Sequence, residues 1–167
     1  MADDRVSHAD ASFVDFLRRR ITVSVATRDA AMVPSVTRAI GYHYAPARAR
    51  LSIYLPAAHA GPMVDNIGDN GWVAVALAEP STHVSMQVKG SDARVEPAGP
   101  ADRMHLAAYE AEIVAEIVGL NYPEPAVRAM FNPDAGALLA VRFTPTQFFA
   151  QTPGPGAGRR FVEATRA

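Results

Sequence analysis

Apolar residues recur at every second position in several short runs of this chain, a pattern typical of β-strands with one buried face. The alternating segments lie at 21–27, 33–44, 50–55, 80–97 and 137–152. A further segment, "WVAVALA" at 72–78, is almost wholly apolar, which predicts a strand buried on both faces. Five or six short strands joined by tight turns favour a mainly β (α+β) fold built on a small antiparallel barrel.

Other segments have the spacing of helices instead, with apolar residues at i, i+3 and i+4. They lie at 13–20, 62–71, 100–120 and 123–131. In the second of them, Pro62 suits the first turn, and Gly68 or Gly71 can end the helix. We expect these helices to lie at the periphery of the barrel.

The segment "PSTHVSMQVKG" at 80–90 carries the most distinctive polar row. His83, Ser85, Gln87 and Lys89 alternate with apolar neighbours, so they are predicted to share one face of a strand. One interpretation is an ordinary solvated face. The other is a binding surface, because the row offers donors without an acid and therefore suits an anion or the carbonyl oxygens of a planar ring. Gly90, at its end, predicts a bulge or a close approach of another backbone segment.

Arg38 is the second candidate binding residue. Alternation places it between Val36 and Ile40 on one face of a strand, which we expect to point inward. A buried guanidinium is costly unless it is paired. Two interpretations stay open: a salt bridge to an acid across the barrel, or contact with an anionic ligand such as a phosphate.

Composition narrows the class of protein. At 167 residues the chain fits a single domain, which we expect over 1–152, followed by a Gly/Pro-rich arm over 153–167. Without cysteine it forms no disulfide, and a cytoplasmic location is the simplest expectation. A net charge of −1 argues against nucleic-acid binding. No apolar stretch approaches the length of a membrane span, so we expect no membrane partner.

Familiar catalytic motifs are missing from the sequence. The histidines form no H-E-x-x-H or similar spacing, so no metal site is predicted. No G-x-S-x-G motif indicates a serine hydrolase. The run "GPGAGRR" at 154–160 matches neither the Walker A nor the dinucleotide-binding pattern.

The order of elements resembles the pyridoxamine 5′-phosphate oxidase-like, FMN-binding split-barrel superfamily. The resemblance covers most of 13–149, and its best-matching motifs are "N-I-x-x-N" at Asn66–Asn70 and "x-V-x-G-x-A" at Gln87–Ala93. It implies a six-stranded antiparallel split barrel with peripheral helices that forms a homodimer. It also implies FMN in a cleft shared by the two subunits. The residues it assigns to the cofactor are Thr37, Arg38, Ser81, Thr82, His83, Gln87 and Lys89.

One position departs from the superfamily pattern. Many members have a phosphate-binding lysine three residues before the first Asn of the short helix, and this chain has Met63 there. Losing a charge-assisted contact costs about 1.5–3 kcal/mol, or roughly ten- to a hundredfold in affinity. Arg38 or Lys89 are the candidates to replace that lysine.

Three functional hypotheses follow. The resemblance implies an FMN-dependent oxidoreductase acting on a small-molecule substrate or electron acceptor that the sequence does not identify. The first alternative is a non-enzymatic dimer that binds a flavin, haem or another small anionic ligand. The second is a cofactor-free structural module that has kept only the fold.

Overall fold

A computed structural model of the protein describes residues 7–132 and 136–160, with side chains from residue 12 onward. The described helices are α1 (Ser7–Leu17), α2 (Met63–Asn70), α3 (Pro100–Val118) and α4 (Glu124–Phe131). The described strands are β1 (Thr22–Arg28), β2 (Pro34–Arg38), β3 (Gly41–Ala45), β4 (Arg50–Pro56), β5 (Val73–Ala78), β6 (Ser85–Gly90), β7 (Arg94–Pro97), β8 (Leu138–Phe143) and β9 (Gln147–Ala150). Short 3₁₀ turns occupy Pro46–Arg48 and Ala57–His59.

The strands form two antiparallel sheets. The first sheet has the order β2-β1-β5-β6-β9, and the second has the order β3-β4-β8-β7. The expected antiparallel barrel with peripheral helices is thereby confirmed. The six expected strands become nine because three of them cross from one sheet to the other.

The first crossing shows why alternation alone missed this division. The segment 33–44, predicted as one strand, separates into β2 of the first sheet and β3 of the second. The N–H of Ala39 donates to the carbonyl of Val23 at 3.0 Å, whereas the N–H of Ile40 donates to that of Tyr54 at 2.9 Å. Both sheets enclose the same core, so apolar positions continue on either side of the crossing. The segments 80–97 and 137–152 divide in the same way.

The core lies between the two sheets and is closed by α1 and α2. Val23, Val25 and Val75 of the first sheet face Leu51 and Ile53 of the second, and all are at most 1% exposed. Further core residues come from the two helices: Phe13, Phe16, Met63 and Ile67. Of the two glycines predicted as possible ends of α2, Gly68 lies inside the helix and Gly71 ends it, with a φ of 67° that is strained for other residues.

The second sheet is covered on its other side by α3, which joins it through polar as well as apolar contacts. Asp102 accepts hydrogen bonds from the Tyr54 hydroxyl (2.8 Å), the Gly99 N–H (2.8 Å) and Arg142 Nη2 (2.7 Å). These donors lower the pKa of Asp102 against the opposing effect of burial. Gly41 lies directly beneath the helix, where a Cβ would come within 2.5 Å of Leu106 Cδ2. The N-terminal half of α3 is therefore fixed to the sheet.

The expectation that β5 is buried on both faces is wrong for the single chain. Val73, Val75 and Leu77 are buried, but Ala76 is exposed and Ala74 and Ala78 are half-buried. Valine or leucine alternates with alanine along β5, so the strand appears continuously apolar in the sequence. In the structure only the larger side chains, the valines and the leucine, face the core.

The chain after β9, residues 151–160, folds back and contacts the end of that strand. The N–H of Ala150 donates to the carbonyl of Arg159 at 2.9 Å, and the N–H of Gly158 donates to that of Ala150 at 2.7 Å. Residues 153–160 are nevertheless mostly exposed and form turns and bends. The rest of the predicted arm, 161–167, lies outside the described residues, and the domain division at 152 stays a prediction.

Among the helices that the structure describes, none combines the length and the hydrophobicity needed to cross a lipid bilayer.

Gly90 makes the close approach that its place in the alternation predicted. A Cβ there would lie 2.5 Å from Phe143 Cδ2 and 2.7 Å from the carbonyl oxygen of Thr144. We therefore expect Gly90→Ala to lower the free energy of unfolding by about 1–3 kcal/mol, the usual cost of overpacking. Urea denaturation measures the change.

Gly68→Ala is the matched control, because Gly68 lies in α2 with open space around its Cα. Alanine there should be neutral or stabilising by up to about 1 kcal/mol, since alanine favours a helix more than glycine does. Equal stability of the two variants would contradict the close approach at Gly90.

Candidate functional site

The first sheet turns one face to the core and the other away from it. Residues paired across antiparallel strands share a face, so the strand register assigns each side chain to one of the two. We call the side turned away from the core the outer face. It comprises Thr22, Ser24, Ala26, Arg28, Pro34, Val36, Arg38, Ala74, Ala76, Ala78, Ser85, Gln87, Lys89, Gln147 and Phe149.

Small side chains and charged side chains occupy different parts of the outer face. Its centre consists of small side chains, Ser24, Ala26, Ala74 and Ala76, on the two middle strands. Its charged members are Arg28, Arg38 and Lys89, and it includes no acid. Within the described part of the chain, none of these three cations forms an ion pair. The outer face therefore carries positive charge around a centre of small side chains.

Two of the predicted site residues share this face with Arg38. Gln87 and Lys89 project outward from β6, as the alternation predicted, and Ser85 joins them. Arg38 is an exposed residue at the far edge, three strands from Gln87. At about 4.8 Å between neighbouring strands, their backbones are roughly 14 Å apart.

The expectation that Arg38 points inward is wrong. Arg38 pairs with Ser24 on the outer face, and Val36 beside it is 73% exposed. Ile40 does lie in the core, but the chain has crossed to the second sheet by then, so Ile40 does not report the orientation of Arg38. Thr37 is turned the other way, opposite Val25, so it does not share a face with Arg38.

The remaining predicted residues form the turn between β5 and β6. Ser81, Thr82 and His83 are exposed, and the turn is held by the Thr82 hydroxyl donating to Glu79 and by the His83 N–H donating to the Glu79 carbonyl at 2.9 Å. The turn also holds His83 at a φ of 60°, so His83 is not part of the alternating row. From Ser85 to Lys89 the strand advances about 14 Å, so this turn lies far from Lys89.

Lys89 lines a cavity of about 290 Å³ at the end of the outer face. The other lining residues are Ala26, Thr27, Arg28, Met32, Trp72, Val73 and Ala74. The Lys89 ammonium lies 4.9 Å from the centroid of the Phe149 ring, and one Arg28 nitrogen donates to the carbonyl of Asp29 at 3.1 Å. The cavity thus combines two cations with an indole and small aliphatic side chains.

The N-I-x-x-N motif holds the backbone beside this cavity. Asn66 Nδ2 donates to Thr27 Oγ1 at 3.0 Å, in a buried contact, and Asn70 Nδ2 donates to the Arg28 carbonyl at 2.9 Å. Since buried amides need partners, these bonds fix α2 against the end of β1. The motif therefore positions Arg28 through the backbone instead of contributing side chains to the cavity.

Arg28 and Trp72 were missed in the sequence analysis. Arg28 continues the outward alternation of β1 after Ala26, so the strand pattern did contain a signal for it. Trp72 precedes β5 and is 42% exposed, but no sequence pattern relates it to Lys89, which reaches the cavity from another strand.

Solved structures of other proteins share this arrangement of sheets and helices. The chain is similar to HupZ of Group A Streptococcus, with a TM-score of 0.52 and 15% identity over 89% of this chain and 97% of that one. It is equally similar to a putative pyridoxamine 5′-phosphate oxidase from Lactobacillus delbrueckii, with a TM-score of 0.51 and 17% identity over 90% and 98% of the two chains.

A third solved structure has a similar fold. It is a pyridoxamine 5′-phosphate oxidase-related, FMN-binding protein from Nostoc punctiforme, with a TM-score of 0.51 and 13% identity over 90% of this chain and 87% of that one. The chain has the split-barrel fold of the pyridoxamine 5′-phosphate oxidase-like proteins. The resemblance of the sequence to this superfamily is thus confirmed at the level of the fold. The sequence of this chain matches no family model and no curated protein.

Met63 of this split barrel does not reach the candidate cavity. Its side chain is 1% exposed and belongs to the core. We expect Met63→Lys to lower the free energy of unfolding by about 3–5 kcal/mol, because an unpaired ammonium would enter the core. Chemical denaturation measures this loss.

Met63→Leu is the control, since a hydrophobic swap of similar volume usually costs less than about 1.5 kcal/mol. If the lysine variant were as stable as the leucine variant, position 63 would face solvent or a ligand, and the assignment of Met63 to the core would be wrong.

Proposed function

We propose that this protein binds FMN on the outer face of the first sheet and acts as a flavin-dependent oxidoreductase. The observation that carries the proposal is the cavity that places Arg28, Lys89 and Trp72 beside the alanines of the outer face. The split-barrel fold supports it, since one structure of similar fold is that of an FMN-binding protein.

The cations of the cavity fit the phosphate of FMN. A phosphate monoester carries nearly two negative charges at neutral pH, and guanidinium and ammonium groups bind it through charge-assisted hydrogen bonds. Arg28 and Lys89 line the same cavity, and no described acid pairs with either of them. They are thus suited to replace the lysine that the superfamily pattern places at position 63.

The rest of the outer face fits the ring system. Ala74 and Ala76 let a planar ring approach the sheet closely, and Trp72 offers an aromatic surface at the edge of the cavity. Gln87 lies beside Ala76 in the register, where its amide can donate to a ring carbonyl and accept from a ring N–H.

FMN, when bound, supplies the redox chemistry itself. The residues of this chain bind and orient it: Arg28 and Lys89 neutralise the phosphate, Gln87 positions the ring, and the sheet excludes water from one ring surface. The substrate or electron acceptor is a small molecule whose class stays open. A cytoplasmic location remains part of the proposal because the chain has no cysteine.

A homodimer completes the site in this proposal. The cavity of about 290 Å³ is at the low end of the volumes that enclose small ligands, so one protomer holds only part of an FMN molecule. The exposed apolar residues beside it include Met32, Val36 and Trp72, at 66%, 73% and 42% exposure. A second copy packed on the outer face covers these side chains and the uncovered alanines of β5.

The predicted site residues are then divided between the subunits. Gln87 and Lys89 contact the cofactor bound at their own cavity. Ser81, Thr82 and His83, which lie far from Lys89 in the same chain, contact it from the second copy. Arg38 lies at the opposite edge of the outer face and belongs to that shared surface, whereas Thr37 supports it from the inner side.

The first test uses Trp72, the only tryptophan of the chain, which lines the proposed site. Titration with FMN should quench its fluorescence saturably. Arg28→Ala and Lys89→Ala should each weaken binding at least about tenfold, which corresponds to 1.4 kcal/mol. Arg48→Ala, which removes an exposed cation from a turn beside the second sheet, should leave the affinity unchanged.

Absence of saturable quenching would overturn the FMN proposal. Saturable quenching that neither Arg28→Ala nor Lys89→Ala weakens would place FMN elsewhere on the protein.

The second test concerns the dimer. Ala76→Glu introduces a charge at the centre of the outer face, and Ala111→Glu introduces the same charge at an exposed position of α3. Sedimentation should show a dimer for the wild type and for Ala111→Glu, but a monomer for Ala76→Glu, because an unpaired carboxylate is costly to bury in an interface. A monomeric wild type, or a dimeric Ala76→Glu variant, would contradict the proposed interface.

A further inference from the structure

A pair of histidines joins the second sheet to its covering helix. The imidazole rings of His43 on β3 and His105 on α3 stack with their centroids 3.6 Å apart and their planes inclined by 8°. Both line an open cavity of about 330 Å³ between α1, β3 and α3, distinct from the one that Lys89 lines. The proposed flavin site makes no use of them.

The stacking geometry excludes joint coordination of one metal ion. The lone pair of an imidazole nitrogen lies in the plane of its ring, and these two planes are nearly parallel. The lone pairs therefore do not converge on a common point. The other chemistry of an imidazole near neutral pH is the uptake of a proton.

Charged and titratable groups surround the pair on every packed element. Asp102 on α3 and Arg142 on β8 act electrostatically on His43. Ser52 lies between His43 and Arg142 in the strand register, and Arg142 Nη1 donates to its hydroxyl at 2.8 Å. The other titratable groups around the cavity are Arg18 directly after α1, Tyr42 and Tyr44 of β3, and Tyr109 and Glu112 of α3.

The surroundings of His43 together lower its pKa and so disfavour its protonated form. Burial lowers the pKa of His43 first, and the charge of His105 lowers it further. Arg142 acts in the same direction, whereas Asp102 opposes it. Asp102 is already engaged by Arg142 at 2.7 Å and by Tyr54, so it does not compensate a second imidazolium fully.

We propose that the His43–His105 stack is a proton-sensitive contact between β3 and α3. It stays closed while at most one ring is charged, because an imidazolium can stack on a neutral ring. It opens when both rings are charged, because two cations at this separation repel each other. The opening moves the two rings apart and widens the cavity between α1, β3 and α3, while Asp102 keeps the first turn of α3 on the sheet.

The pH window follows from the sign of the shift. The pKa of His43 in the folded protein is below its value in the unfolded chain, about 6.5. As the pH falls through about 6.5 the unfolded chain therefore binds more protons, and stability is lost until the pH is below the folded pKa. The pKa of Asp102 is also lowered, so Asp102 stays ionised and keeps the first turn of α3 attached through this window.

Nuclear magnetic resonance titration of the imidazole protons tests the coupling. In the wild type, His43 should titrate below the ordinary range of a histidine, because burial and the charge of His105 lower its pKa. In His105→Phe, which keeps a ring in the stack but removes that charge, His43 should titrate at a higher pH than in the wild type. An identical curve for His43 with and without the His105 imidazole would overturn the proposal.

Hydrogen exchange of the α3 amides tests the opening itself. After correction for the intrinsic pH dependence, amides near His105 should lose protection between pH 7 and pH 5 in the wild type. They should keep it in His105→Phe, which retains a stacking ring that cannot be protonated. His59→Gln, at an exposed histidine outside the pair, should behave as the wild type does. Loss of protection in His105→Phe equal to that of the wild type would refute the proton-sensitive contact.

Discussion

The fold depends on the points where a strand leaves one sheet and enters the other. At the first crossing, the adjacent amides of Ala39 and Ile40 donate to different sheets, and both residues are buried. A buried N–H is costly to leave unpaired, so the two sheets cannot separate here without breaking at least one of these bonds. At the other two crossings, Gly90 lies against Phe143 and Thr144, so the crossings pack on each other. The sheets are thereby locked around one core.

The same crossings position the candidate binding residues. Lys89 comes directly before Gly90, and its carbonyl accepts a hydrogen bond from the Thr146 N–H at 2.9 Å. Arg28 is held from the other side by Asn70 of α2. Two cations from distant parts of the chain thus reach one cavity on rigid backbone segments. The small side chains of β1 and β5 on the outer face leave room for a planar ligand.

The sequence predicted the positions of the strands well, because alternation between apolar and polar residues survives each crossing. Because the alternation continues through each crossing, the sequence contained no sign of where a strand passes from one sheet to the other. Gln87 and Lys89 were placed on the correct face because β6 is regular up to Gly90. Arg38 was turned the wrong way because two consecutive residues, Ala39 and Ile40, are both buried, which breaks the alternation that carried the prediction.

The remaining features of the site arise from contacts between distant segments. Trp72 and Lys89 reach one cavity from separate elements, and no local pattern joins them. The stacked pair of His43 and His105 depends equally on how α3 crosses the second sheet. Met63 appeared as a missing phosphate ligand in the motif comparison, yet the structure uses it to fill the core. The positions of these side chains depend on how the helices pack on the sheets, and the periodicity of apolar residues gives no information about that packing.

A crystal structure of the protein grown with FMN tests the central claim most directly. We predict a dimer whose interface is the outer face, with the phosphate beside Arg28 and Lys89 and the ring over Ala74 and Ala76. A flavin bound anywhere else, or a dimer that leaves the outer face exposed to solvent, would contradict the account.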